Sequence, residues 1–204
     1  MYDAAAPPPI TLPERCLHKF LRACYNTTAT PRIRERLIFA YLGPFNNVRC
    51  TPTKVGSYSQ INYTLRPQVY HSLVGDMHTH HPNMFHNDCA YFTLCPTTLD
   101  MVSYYQLINA SPYYRWFAIG AGYANTAVVR WYYIIDKEAI ESVAKRILQH
   151  PDWYPDRRLS SQDKDDLLDG CIVTECVYHN YSLYSSRDID TREELSEQVK
   201  ICKK

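Results

Sequence analysis

Four of the chain's eight histidines, His78, His80, His81 and His86, fall within nine residues. Asp76, Asp88, Cys89, Cys95 and Asp100 surround them. Imidazole, thiolate and carboxylate are the common side-chain ligands of zinc and related first-row metals, so this concentration reads as a metal site. His78-Thr79-His80 is its informative element. At the end of a β-strand, the two-residue period puts both rings on one face, close enough to share a cation, and turns Thr79 away. A catalytic zinc takes a third protein ligand and keeps a position open for water. Asp100 is the leading third ligand, because the first turn of a predicted helix can aim a short carboxylate back at the strand end. Asp88, closer in sequence, is the alternative, together with His81, His86 or a cysteine. Thr97 and Asp100 also stand at capping-box spacing, which explains the same carboxylate as a helix cap.

A zinc ion lowers the pKa of bound water to about 7, and amide hydrolysis needs a base beside it. Upstream of the cluster the glutamates are Glu14 and Glu35. Helix capping explains Glu14. Glu35 stands at the entrance to a predicted strand over 37–42. There a carboxylate could lean over a metal held by the neighbouring strand, take a proton from water and pass it to the leaving amine. Its plainer reading is a solvated charge between Arg34 and Arg36, as that of the histidine pair is two exposed rings at a loop edge.

These side chains need a sheet and helices to hold them. Residues 1–10 are small and proline-rich and predict an extended arm. Thr11 and Glu14, with Pro13 between them, open a predicted helix over 12–26 whose Leu17, Phe20, Leu21 and Cys24 share one face. Leu37 to Leu42 reads as a buried strand ended by Gly43-Pro44. Ile61, Tyr63 and Leu65 alternate as a half-buried strand, and Val69 to His80 supplies another. A helix from Thr97 carries Met101, Tyr104, Tyr105 and Ile108 on one side. Tyr114–Gly120 and Ala127–Ile135 read as a hairpin, Asp136 as the cap of a helix ending before Pro151, and 161–169 as a short helix. An apolar run, Ile172 to Tyr178, and a terminal helix from Thr191 through Cys202 complete the chain. No internal repeat argues for a solenoid. The order predicts an α/β sandwich, a mixed sheet flanked by helices, with the main domain over 11–150 and a helical extension over 151–204 packed on it.

Two hundred and four residues fit one domain, and 46% hydrophobic content is enough to bury a core. Twenty-two basic against 21 acidic side chains leave no overall charge excess, which argues against a general nucleic-acid or membrane-surface partner. The N-terminal stretch lacks the basic and apolar regions of a secretory signal, and no apolar run reaches membrane-spanning length. The eight cysteines show no regular spacing and are expected mostly as buried thiols in a reducing compartment, hence a cytoplasmic setting. Cys171 and Cys176, with His179, could instead form a metal knuckle. Eighteen tyrosines suit packing edges and a surface for a protein partner.

Glutamate on an early strand, His-x-His at a later strand end, and a hydroxyl residue three before an aspartate at a helix start form one ordered pattern. Here it reads Glu35, His78-Thr79-His80 and Thr97-Thr98-Leu99-Asp100. In this pattern, over residues 12–136, the chain resembles the JAB/JAMM metallopeptidase superfamily, which has the MPN-like (cytidine-deaminase-like) fold. The resemblance implies zinc on His78, His80 and Asp100, Glu35 as general acid/base and Thr97 as the oxyanion-stabilising hydroxyl. It further implies a peptide or isopeptide substrate, ubiquitin-like conjugates among them. The chain departs from the family in four places. Nineteen residues separate His80 from Asp100, so Pro82–Cys95 forms an extra loop like that of some toxin-associated branches. His81 precedes the proline, Ile38 stands where a glycine is usual, and Thr97 replaces serine. Two other readings compete. Inactive MPN-like members serve as scaffolds or interaction modules. Asp76-Met77-His78-Thr79-His80 also resembles the first metal strand of amidohydrolase-type barrels, although the chain left beyond it is too short to close a barrel.

Overall fold

The computed structural model describes residues 12–29, 34–57, 61–80, 94–123, 126–150, 158–179 and 201–203. Helix α1, Glu14–Ala29, begins where the Pro13 carbonyl accepts the amides of Cys16 and Leu17. Its buried side carries Cys16, Phe20, Leu21 and Cys24, close to the face that the sequence spacing predicts. Strand β1, Arg36–Leu42, turns through Pro44–Asn46 into β2, Val48–Cys50, and β3, Lys54–Val55, follows. A helical turn, α2 (Pro67–Tyr70), leads into β4, Leu73–Thr79. Beyond it come α3 (Thr98–Ala110), β5 (Trp116–Tyr123), β6 (Thr126–Ile134), α4 (Lys137–Gln149), α5 (Ser161–Asp169), β7 (Cys171–His179) and β8 (Ile201–Lys203).

The strands form one open mixed sheet in the order β2-β1-β4-β5-β6-β7-β8, with β3 also paired to β1. β4 and β5 run parallel, and the other pairs are antiparallel. Alternation along the strands divides the core between the two faces of the sheet. On one face Phe39, Phe117, Ile119 and Tyr132 pack with Met101, Tyr104 and Leu107 of α3, Ile140 and Val143 of α4 and Leu167 of α5. On the other, Ile38, Met77, Ala118, Val129 and Trp131 pack with Phe20, Leu21 and Cys24 of α1. Helix α1 lies close to the sheet at Gly120, where a Cβ would come within 2.8 Å of Phe20 Cζ. The α/β class and the helix-flanked mixed sheet are as expected, and among the described residues the sheet does not close into a barrel. Among the described residues no helix is long and apolar enough to cross a membrane.

Several expectations need correction. Ile61, Tyr63 and Leu65 do alternate inward, and Tyr63 packs edge-on against Phe39 at 4.7 Å, but the segment is not a sheet strand. One edge of β1 is already taken by β2 and β3 and the other by β4, so no ladder position is left beside it. The strand predicted from Val69 begins only at Leu73, after the α2 turn. The region over 151–204 is not purely helical, because β7 pairs along its whole length with β6 and extends the same sheet. Ile201 and Cys202 belong to β8 and not to a terminal helix, while 191–200, like the arm over 1–10, lies outside the described residues.

The cysteines differ most from expectation. Cys16 of α1 and Cys50 of β2 form a disulfide with their Cα atoms 5.8 Å apart, and Cys176 is also disulfide-bonded. Across β7 and β8 the backbone of Cys176 is in register with that of Cys202. Cys24 and Cys171 are buried thiols, as expected, and burial pushes the Cys171 thiol up to about 12. Free thiols were the ground for a reducing compartment, and the disulfides remove it. They also remove the metal knuckle. Five residues apart on one strand, Cys171 and Cys176 face opposite sides of the sheet, and Cys176 is already bonded. Closing the 34-residue span between Cys16 and Cys50 restricts the unfolded chain. Loss of this bond is therefore expected to destabilise the fold by about 3 to 4 kcal/mol. Urea unfolding of the wild type beside a Cys16→Ala/Cys50→Ala variant, which leaves the Cys176 bond intact, measures it, and an unchanged midpoint would mean that the bond contributes nothing.

Candidate metal centre

The βαβ unit β4-α3-β5 brings the predicted ligands together. Because β4 and β5 are parallel, the C-terminal end of β4 and the N-terminus of α3 lie at the same end of the sheet, the usual place for a site in such units. His78 sits in β4 between Leu37 of β1 and Ile119 of β5. The strand ends at Thr79, and the His80 amide still bonds the Gly120 carbonyl at 2.9 Å, which fixes the second ring two residues along the same face. Thr79 turns away, and its Oγ1 accepts the Arg36 amide at 3.0 Å. Both rings are buried, with His78 6% and His80 1% exposed.

Asp100 is both helix cap and candidate ligand. Thr97 is the N-cap of α3, and the reciprocal capping box is complete. The Asp100 Oδ2 accepts the Thr97 amide at 2.8 Å and the Thr97 hydroxyl at 3.0 Å, while the Asp100 amide donates to Thr97 Oγ1 at 3.3 Å. These bonds orient the carboxylate toward the rings. Asp100 Oδ1 lies 3.5 Å from His78 Nε2, Asp100 Oδ2 lies 3.3 Å from His80 Nε2, and the two Nε2 atoms are 2.9 Å apart. Four ligands held tetrahedrally at zinc distances stand about 3.3 to 3.4 Å from one another. The donor set and its spacing therefore fit a divalent ion: His78, His80 and Asp100 could hold a metal.

A second carboxylate backs the first ring. Asp76, 2% exposed, places Oδ2 3.5 Å from His78 Nδ1 and accepts a short hydrogen bond from the Tyr114 hydroxyl on Oδ1. The Tyr104 hydroxyl is also 3.5 Å from His78 Nδ1. Tyr104 in turn stacks on Phe117, which stacks on Tyr132, so the wall behind the ring is rigidly packed. A carboxylate on Nδ1 favours the tautomer whose Nε2 lone pair is free for a metal. In the sequence Asp76 stands among the surrounding acids and at the head of the competing barrel motif, with no part in the metallopeptidase pattern. The signal was there, since residues 76, 78 and 80 share one parity on the strand. Asp76→Asn keeps an acceptor for Tyr114 and is expected to weaken zinc binding by about 10- to 100-fold. Competition against a chelating dye reads this directly, and wild-type affinity in the variant would leave Asp76 with a packing role only.

Burial by itself would push the His78 imidazole toward its neutral form, but Asp100 and then Asp76 outweigh it and raise the ring to about 10. Burial would likewise raise the Asp100 carboxyl, yet His78 and then His80 hold it well below the ordinary carboxylate range. At neutral pH the metal-free group thus keeps a proton among its ligand atoms, and a divalent ion enters by displacing it. The raised His78 pKa contributes stability that is complete below its ordinary value of 6.5 and is lost as pH rises toward about 10. Zinc uptake is expected to release a proton and to weaken by about tenfold per pH unit on acidification from about 8 to about 6. Calorimetry in buffers of different ionisation enthalpy counts that proton. Uptake without proton release would mean that His78 is neutral before the metal arrives.

Glu35, 7% exposed, precedes β1 and is on the same face as Leu37 and Phe39. It shares the lining of a pocket of about 70 Å³ with Asp76, His78 and Asp100. At roughly 10 to 15 Å³ for each water, the space holds a few solvent molecules. The solvated-charge reading of Glu35 therefore gives way to a buried acid facing the group. Asp88, His81 and His86, the alternative ligands, lie outside the described residues. No protein-family model, curated protein or solved structure matches the chain. What the geometry establishes is a buried His-His-Asp group on a mixed α/β sheet, able to bind a metal and compatible with the metallopeptidase resemblance.

Proposed function

We propose that the chain is a zinc-dependent hydrolase of peptide or isopeptide bonds, built on the JAB/JAMM pattern. His78, His80 and Asp100 would hold the ion. When bound, zinc polarises a carbonyl oxygen and lowers the pKa of water to near neutrality. The remaining chemistry belongs to this chain's side chains. Glu35 takes the proton from the attacking water and returns it to the departing amine nitrogen. Asp76 keeps the His78 ring in one tautomer, and Thr97 holds the Asp100 carboxylate through its amide and hydroxyl. A substrate oxyanion would have to compete with Asp100 for the Thr97 proton, so any oxyanion role of that hydroxyl follows an exchange of partners. The apolar flanks of the pocket, Leu37, Phe39 and Tyr63, keep bulk water away from the acid and raise the strength of its interactions.

One observation supports this reading: His78, His80 and Asp100 bring their ligand atoms within 3.5 Å of one another, and two of them, His78 and Asp100, line the same pocket as the buried Glu35. The experiment is to load the chain with zinc and present internally quenched peptides and a lysine-linked isopeptide panel. Cleavage that is abolished by a chelator and restored by zinc is the expected result. A stoichiometrically loaded chain that cleaves neither class would instead favour the interaction module.

A further inference from the structure

A second site lies at the β1–β2 edge, away from the metal group and sharing no lining residue with its pocket. Arg15, Lys19, Tyr41, Arg49 and Cys50 line a cleft of about 460 Å³. Arg15 and Lys19 are one helical turn apart on α1, and Arg49 faces Tyr41 across the β1–β2 pair. The Lys19 ammonium donates to the Thr51 carbonyl at 3.2 Å, which holds it over the strand edge. No carboxylate lines the cleft, and neither Arg15 nor Arg49 has an ion-pair partner among the described residues. Like charges so placed repel one another, and the protein keeps them together covalently. The Cys16–Cys50 disulfide joins the immediate neighbours of Arg15 and Arg49.

The surroundings have the same sign. Residues 12–57 contain eight basic and two acidic side chains, although the whole chain has a formal charge of only +1. Overall neutrality conceals a basic segment of the sequence, the one that carries α1 and β1 to β3, and an acidic remainder, which bears on the partner.

We infer that this cleft binds a phosphate group borne by a larger ligand. Three cations lining one cleft, with no carboxylate among them, call for a multivalent anion. A phosphate monoester brings nearly two charges and three acceptor oxygens, against one charge for a carboxylate. Two guanidinium forks pair with its oxygens bidentately, and the lysine and the Tyr41 hydroxyl supply further donors. The cleft is several times the size of the phosphate itself, which leaves space for the group that bears it. The inference is independent of the metal chemistry and survives its failure.

The test titrates the oxidised full-length chain with inorganic phosphate at low ionic strength, followed by calorimetry and by amide NMR shifts. Saturable binding is expected, with Arg15→Glu and Arg49→Glu each weakening it at least tenfold and Arg66→Glu, at an exposed position elsewhere, leaving it unchanged. Both charge reversals are at exposed positions, and circular dichroism confirms that the variants fold. Co-sedimentation with phosphatidylcholine vesicles containing phosphatidylinositol 4-phosphate identifies the source. Sedimentation lost in Arg49→Glu assigns a lipid headgroup, whereas phosphate binding without sedimentation assigns a soluble phosphate-bearing ligand. Non-saturable phosphate binding, or equal binding by wild type and Arg49→Glu, overturns the site.

Discussion

Glu35→Gln is expected to bind zinc as the wild type does and to hydrolyse its substrate about 10²- to 10⁴-fold more slowly. The amide occupies the same volume on the same pocket wall but takes up no proton, so the effect should fall on kcat with KM little changed. The register supports this role. Leu37 stands opposite His78, and Glu35 precedes it by two residues on the same face, where it lines one pocket with His78 and Asp100. Zinc retention separates chemistry from damage. A variant that loses both zinc and turnover would make Glu35 a structural acid, and one that keeps full turnover would exclude it as the base.

The second large effect is expected at Asp100, where two substitutions divide its two duties. Asp100→Asn keeps an oxygen to accept the Thr97 amide, so the helix cap survives, but it removes the charge that faces His78 and His80. Stoichiometric zinc binding and hydrolysis should both be lost while the metal-free protein remains folded. Asp100→Ala should lose the same metal binding and also about 1 kcal/mol of stability from the broken cap. Thermal unfolding of the two variants beside metal analysis measures the difference. If Asp100→Asn binds zinc like the wild type, the carboxylate is a cap and nothing more.

Much of the arrangement was legible because its residues obey local rules. The strands over 37–42, 114–120 and 127–135 are marked by apolar runs and punctuation, and Asp136 is recognisable as a cap from its position alone, in agreement with the Glu138 and Ala139 amides that it accepts. The grouping of His78, His80 and Asp100, which could hold a metal, is legible because two-residue parity and a first-turn carboxylate are themselves geometric statements. Ile61–Leu65 failed for a reason no window of sequence contains. Its alternation is real, but membership of a sheet depends on a free edge, and β1 has none to offer. At 201–203 pairing with β7 overrides helical spacing. The Cys16–Cys50 bond was equally invisible, since spacing along the chain does not report which Cβ atoms meet.

The proposed chemistry depends on one divalent ion held by His78 of β4, by His80 just past the strand's end and by the first-turn acid of α3. Zinc X-ray absorption on the purified, zinc-loaded chain, with His80→Ala in parallel, addresses that claim most directly. The predicted result is one equivalent of zinc with two imidazole nitrogens and oxygen in its inner shell, and no tightly bound zinc in the variant. An inner shell built from sulfur, or a full equivalent retained without His80, would contradict it.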